Sequence, residues 1–327
     1  MAKKMDSVLK SVDERSNLVG SNRLEVLLFS LGRDKVTGRS DVFGINVFKV
    51  REVIKMPIIT KAPNLPPSVE GMVSLRNTTI PVINLPKFCN IDTDDEPGIL
   101  IVTEYNNHVQ GFMVNNVENI ERLSWEDLKT PPDMISNRDT GLVTAVADLP
   151  KQGIIMIMDV EKVLSEVDGI YQNEFVFRDL NERTWGPKEM MILYADDSSV
   201  ARNQIETALT KLKIKTICCQ NGQEAWKKLN EMAEAADMDG VRLHERIQII
   251  LTDVEMPEMD GYVLTQKIKA DPRMRDIPVV MHSSLSAEAN QSLAKKVNVD
   301  AYVPKFEPKA LSDTLQSIME KDAQTIH

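Results

Sequence analysis

The sequence predicts two folding units, a β-rich module followed by a doubly wound α/β domain. Three observations carry that prediction. Between Leu24 and Met158, short runs of Val, Ile, Leu and Thr are broken by turn-forming residues. After Lys188, apolar strand runs alternate strictly with amphipathic helix patterns, five of each. Between the two textures lies Asp168–Glu189, a polar stretch with the composition of an interdomain linker, although its Phe175, Val176 and Phe177 are able to pack.

The totals agree with two units. A chain of 327 residues gives each half enough length to bury its own core. Thirty-nine basic residues against 49 acidic ones leave a formal charge of −10, which argues against a role built on nucleic-acid binding. Of the three cysteines, Cys218 and Cys219 are adjacent, so on a strand they face opposite ways. With no CxxC pair, the expectation is reduced, buried thiols and neither a disulfide framework nor a zinc site. No apolar run approaches the roughly 18 residues of a membrane span. Met1–Leu18 lacks a signal-peptide core, so a cytoplasmic protein without membrane insertion is expected.

At the start of the chain, Met5, Val8, Leu9 and Val12 fall at helical spacing with Lys3, Lys4 and Lys10 among them. This predicts a short amphipathic helix, against the alternative of a frayed terminus. Strands are then predicted at Leu24–Leu31, Val42–Asn46, Gly71–Leu85, Ile99–Glu104, His108–Val117 and Gly153–Met158. Helical periodicity in this half is brief, at Phe48–Ile54 and Val160–Val167. Many short strands with few helices imply one or two small barrels.

The second half reads as strand Met190–Tyr194, then a helix with Ala201, Ile205, Ala208 and Leu212 on one face. Strand Ile214–Cys219 and a helix marked by Ala225, Leu229, Met232 and Ala236 follow. Strand Ile247–Leu251, helix Tyr262–Lys269, strand Ile277–Met281, helix Ala287–Val297, strand Ala301–Val303 and helix Lys309–Met319 complete the set. Such alternation implies a parallel sheet covered on both faces. Met238–Glu245 reads as a long polar loop.

In a doubly wound sheet, ligands bind beyond the carboxyl ends of the strands. Here strand one ends in Asp196-Asp197, strand three in Asp253 and strand four in Ser283-Ser284, and strand five leads to Lys305. Carboxylates gathered there repel one another unless a cation sits among them, and hard oxygen ligands suit Mg²⁺. A carboxylate is also a nucleophile toward a phosphoryl group, with metal and ammonium neutralising the transferring oxygens. The plainer reading is that Asp197 or Ser198 caps the first helix. Four strand ends carrying the required chemistry in order favour a site.

Residues 189–321 resemble a response-regulator receiver domain of the CheY type, a flavodoxin-like (βα)5 fold. The resemblance rests on Asp196-Asp197, on Asp253 in Leu-Thr-Asp-Val-Glu-Met-Pro-Glu-Met-Asp-Gly, on Ser283, and on Tyr302 with Lys305. It implies that Asp253 is the phospho-acceptor and that Asp196, Asp197 and Asp253 hold Mg²⁺. It further implies that Ser283 and Lys305 contact the phosphoryl group and that Tyr302 is a coupled aromatic switch. Two departures are Pro304-Lys305-Phe306, where Lys-Pro is usual, and Glu255 two residues after the acceptor.

Residues 22–168 are similar to CheW-like coupling domains, built of two intertwined five-stranded, SH3-like barrels. The signals are Phe43-Gly44-Ile45, Val50-Arg51-Glu52-Val53-Ile54, Gly71–Asn77, Ile80–Leu85 and Ile157–Leu164, with Asn77 where the family expects Gly. The resemblance implies that the segment around Val50 and Glu52 engages a histidine kinase and that Arg76 faces chemoreceptor tips. The implied order is an N-terminal segment 1–21, a coupling domain 22–168, a linker 169–188, a receiver 189–321 and a tail 322–327. A coupling domain joined to a receiver is the architecture of CheV-type proteins. The expected function is a chemotaxis scaffold at receptor arrays on the inner face of the membrane, adjusted by phosphorylation of Asp253. The alternatives are a phosphate sink that leaves coupling unchanged, and an Asp-nucleophile phosphatase, whose second Asp is replaced here by Glu255.

Overall fold

The computed structural model describes residues 23–105, 108–124, 127–131, 142–168, 177, 180, 190–283, 298–305 and 307–325. The N-terminal helix expected before Leu18, the helix expected at Ala287–Val297, Ser284 and Phe306 lie outside them. The chain divides into two compact units, Met1–Asp168 and Gly169–His327.

Among its described residues, the first unit contains ten strands in two sheets. In chain order they are β1 (Arg23–Ser30), β2 (Val42–Asn46), β3 (Val50–Lys55), β4 (Val69–Leu75) and β5 (Thr78–Asn84). The short helix α1 (Leu85–Phe88) precedes β6 (Ile99–Tyr105), β7 (His108–Val114) and β8 (Asn116–Ser124). Then come β9 (Val143–Leu149), β10 (Gly153–Met158) and helix α2 (Val160–Asp168). One sheet runs β8-β1-β2-β10-β9 and the other β3-β6-β7-β5-β4. The chain therefore leaves the first sheet after β2, builds the whole second sheet, and returns. Each sheet has its own core, Val26, Leu28, Ile155 and Ile157 in the first and Val73, Val82, Leu100 and Val102 in the second.

Three sequence expectations change here. The predicted strand Gly71–Leu85 is a hairpin, because Arg76 and Asn77 adopt φ of +47° and +69°. Two positive φ values in a two-residue loop match the right-handed twist of the flanking strands. The helical pattern at Phe48–Ile54 is a 3-10 turn, Val47–Lys49, running into β3. A bulge between Val50 and Glu52 resets the alternation, so Val50 and Val53 are both buried and the period of three mimics a helix. Strand β8 outruns the predicted end at Val117, and β9 was not predicted at all. Both are edge strands with weak apolar patterns.

The second unit contains β11 (Met191–Ala195), α3 (Ser199–Lys211), β12 (Lys215–Cys219) and α4 (Gly222–Met238). Strand β13 (Ile249–Thr252), α5 (Gly261–Ala270), β14 (Val279–Ser283), β15 (Ala301–Pro304) and α6 (Pro308–Thr325) follow. The sheet is parallel, in the order β12-β11-β13-β14-β15. One core packs Leu193, Ile250 and Val279 against α4 and α5; the other packs Ile192, Leu251 and Val280 against α3 and α6.

Two segments expected to be polar connections contribute to these cores. Leu243 is buried and Val241 packs beside it, so the Met238–Glu245 loop is pinned to the α4 side. Phe177 is buried in the α3–α6 core with the Lys211 ammonium 5.5 Å above its ring. All three cysteines are free, but Cys218 is exposed where a buried thiol was expected. Burial pushes the Cys89 and Cys219 thiols up to about 12, which keeps both in the unreactive protonated form. Among the described residues, no helix is long and apolar enough to cross a membrane.

Candidate functional site

The strand order reverses between β11 and β13, and the crevice at their carboxyl ends collects the charged side chains. Each strand delivers its residue through backbone hydrogen bonds. The Asp253 N–H donates to Ala195 O at 2.8 Å, and the Asp196 N–H to Cys219 O at 3.2 Å. The Lys305 N–H donates to Ser283 O at 3.0 Å, which brings the end of β15 against that of β14.

Ligand oxygens of Asp196, Asp197 and Asp253 all lie within 4.8 Å of one another. Two oxygens bound to one Mg²⁺ stand at most about 4.2 Å apart, given metal–oxygen distances of about 2.1 Å. Small side-chain rotations therefore suffice, and three hard carboxylate donors fit such a cation. Asp196 and Asp253 are buried and Asp197 is half-exposed, leaving an approach from solvent.

Lys305 lies across this cluster. Its ammonium is 2.8 Å from Asp196 Oδ2 and donates to Asp253 Oδ2 at 2.9 Å. The other oxygen of each carboxylate is held by backbone, since Asp196 Oδ1 accepts from Ser198 N at 3.0 Å and Asp253 Oδ1 from Val254 N at 2.6 Å. The first-helix capping reading is also met, by Ser198, whose side chain accepts from Ala201 N. Capping and charge clustering thus coexist, on neighbouring residues.

The loop after Asp253 is held close by Gly261. A Cβ at that position would meet Asp253 O at 2.0 Å, so only glycine lets α5 start directly behind the acceptor strand. Asp260 caps α5 by accepting from Val263 N at 2.7 Å. Ser283 is buried at the end of β14, and Tyr302 is half-buried in β15 opposite Met281. Buried Tyr262, the second residue of α5, has its hydroxyl held above the usual tyrosine range by burial first, then by neighbouring Tyr302 and Glu255.

Of the residues expected to meet partners in the first unit, two come together. Arg76 Nη2 donates to Glu52 Oε2 at 3.1 Å, joining the β4–β5 turn to β3 at the far edge of the same sheet. Val50 is only 1% exposed, so it shapes β3 from within and presents no surface to a partner. Sequence reasoning passed over Arg202 on α3, which binds the backbone beneath the carboxylates. Its signal was an arginine one helical turn past the Ser198 cap.

A parallel sheet with this strand-end cluster defines a receiver domain, and the two interleaved five-stranded sheets ahead of it define a coupling module. Residues 25–168 match the CheW-like domain, and residues 192–316 match the response regulator receiver domain. Over 316 residues the chain is 29% identical to chemotaxis protein CheV3 of Helicobacter pylori, covering 95% of this chain and 99% of that one. It is 32% identical over 132 residues to chemotaxis protein CheY1 of Helicobacter pylori, covering 40% of this chain and 97% of the relative. Among solved structures, scaffolding protein TtCheW of Thermoanaerobacter tengcongensis is 28% identical, with a TM-score of 0.39, covering 45% of this chain and 94% of that one. The chain belongs to the CheV-type chemotaxis proteins, coupling adaptors that carry a receiver domain.

Proposed function

We propose that this protein is a chemotaxis scaffold that links chemoreceptor tips to a histidine kinase, with phosphorylation of Asp253 adjusting that link. The observation that carries the reading is the buried set Asp196, Asp197, Asp253 and Lys305 at the strand ends. Asp253 Oδ2 attacks the phosphorus of a phosphohistidine on the kinase, the phosphorus–nitrogen bond breaks, and an acyl phosphate forms on Asp253. Asp196, Asp197 and Asp253 hold Mg²⁺, which neutralises charge on the transferring oxygens when bound. Lys305 follows the phosphoryl group as a fixed positive charge, Ser283 donates a hydrogen bond to it, and Tyr302 turns with Ser283.

The coupling contacts belong to the first unit. Glu52 and Arg76 meet the kinase's regulatory domain and the receptor tip, and Val50 holds β3 in shape beneath them. The protein acts in the cytoplasm at receptor arrays and turns over no substrate of its own. For phosphorylation to alter coupling, the two receiver states must differ in free energy of contact with the coupling domain or its partners.

The test is exposure of the whole protein to acetyl phosphate with and without Mg²⁺, followed by intact mass. One acid-labile phosphoryl group, formed only with Mg²⁺ and absent in Asp253→Ala, is the expected result. A phosphoryl group that persists in Asp253→Ala would place the acceptor elsewhere.

A further inference from the structure

Arg202 stands on α3, one turn past the capping Ser198, and is half-buried. Its Nη1 donates at 2.8 Å to the backbone carbonyl of Asp196 and at 2.8 Å to that of Asp197. One nitrogen thus holds two successive peptide units whose side chains are the first two carboxylates of the cluster. We infer that Arg202 is a positioning residue for the cation site, acting on the backbone of Asp196 and Asp197 and touching neither cation nor phosphoryl group. This rests on reading the three carboxylates as the Mg²⁺ and phosphoryl site.

The physical reason lies in what else orients those residues. The Asp196 carboxylate is secured from both sides, by Ser198 N–H and by the Lys305 ammonium. Asp197 is half-exposed, and the backbone torsions around its carbonyl set the point from which its carboxylate departs. With both carbonyls drawn to one guanidinium, those torsions are set before a cation arrives, and less orientation is lost on binding. Groups that orient metal ligands from behind commonly account for tenfold or more in metal affinity. A guanidinium near a cation also repels it. The sign of the effect therefore reports whether ligand orientation or charge dominates, and the two 2.8 Å bonds argue for orientation.

The experiment is a calorimetric titration of the full chain with magnesium chloride, for native protein, Arg202→Met and Arg202→Lys, with thermal midpoints measured alongside. Methionine keeps the apolar stem and removes donors and charge; lysine keeps charge and a donor. The expected result is Mg²⁺ affinity weakened about ten- to a hundredfold in Arg202→Met and largely recovered in Arg202→Lys. Equal or tighter Mg²⁺ binding by Arg202→Met overturns the inference, as does a fall in thermal midpoint with affinity unchanged. If the methionine variant does not fold, Arg202→Gln gives the same comparison with a smaller loss in the same direction, and no loss overturns the inference. Native protein that binds no Mg²⁺ and takes no phosphoryl group from acetyl phosphate would overturn the parent reading as well. Native protein that does both, beside unaffected variants, overturns the role of Arg202 alone.

Discussion

Each half of the chain sets a basic side chain against a carboxylate at nearly the same distance. In the receiver, Lys305 lies 2.9 Å from Asp253, with side chains 1% and 7% exposed. In the coupling module, Arg76 lies 3.1 Å from Glu52, with side chains 77% and 16% exposed. Burial makes these two pairs different objects. Taking charges out of water costs free energy that mutual attraction only partly returns, so the receiver's cluster is poor engineering for stability and is explained by chemistry. An exposed pair contributes about 0–1 kcal/mol and is screened by salt, so a partner displaces it at little cost. On the proposed function, the first arrangement holds charge for a reaction and the second keeps a surface ready for exchange.

The contrast is sharpened most by breaking the buried cluster. Lys305→Ala leaves two buried carboxylates without their ammonium and is expected to lower receiver stability by about 3–5 kcal/mol in Mg²⁺-free buffer. Added Mg²⁺ is expected to restore part of that loss in urea unfolding. A loss below 1 kcal/mol would mean the cluster is far better solvated than its burial implies.

Gly261→Ala comes next. Its Cβ would overlap the Asp253 backbone oxygen, which has no flexible end to move aside. A loss of about 1–3 kcal/mol is expected, with slower phosphorylation because α5 must retreat from the acceptor strand. Thermal unfolding together with the phosphorylation rate checks both.

Asp260 gives a smaller, pH-dependent effect. Burial pushes its carboxyl above the usual aspartate value, against the backbone N–H groups of Val263 and Tyr262, which lower it. The folded state then binds the proton more tightly than the unfolded state. Stability contributed by this group falls as pH rises through its folded pKa. Asp260→Asn keeps a capping oxygen without the charge. Its stability relative to the native protein should improve as pH rises from 3 toward 7, roughly the span above the free aspartate value. Asp260→Ala should lose about 1 kcal/mol for the missing cap. An asparagine variant that grows relatively weaker with rising pH would reverse the assignment.

Smallest of all, Arg76→Ala should change stability by no more than about 1 kcal/mol while weakening partner binding. A loss of several kcal/mol would make the pair structural and remove the contrast.

The receiver was nearly transparent in the sequence and the coupling module only half so, for the same physical reason. Strands β13 and β14 are buried on both faces; the first reads as an apolar run leading to Asp253 and the second as Val-Val-Met leading to His282 and Ser283. In the coupling module, β8 is Asn-Val-Glu-Asn-Ile-Glu-Arg-Leu-Ser, a half-exposed edge strand whose charges hide its alternation. The bulge at Val50 gave β3 the period of a helix. At the site, Asp196, Asp197, Asp253 and Lys305 were legible because strand ends in a parallel sheet converge. The Arg76–Glu52 pairing was not, since it depends on β3 and the β4–β5 turn meeting from opposite ends of one sheet's strand order. Arg202 acts through backbone carbonyls, so its one signal in the sequence was its place a helical turn past the Ser198 cap.

The central claim, that the receiver's chemistry controls the coupling surface, is tested most directly by affinity. Binding of the whole protein to the kinase's regulatory domain and to a receptor tip would be measured with and without beryllofluoride, an acyl-phosphate mimic, using Asp253→Ala as control. The account predicts an affinity that shifts with the mimic and a shift that vanishes in Asp253→Ala. Equal affinity in both states, in a protein that nonetheless takes up the phosphoryl group, would contradict it and leave a phosphate sink in its place.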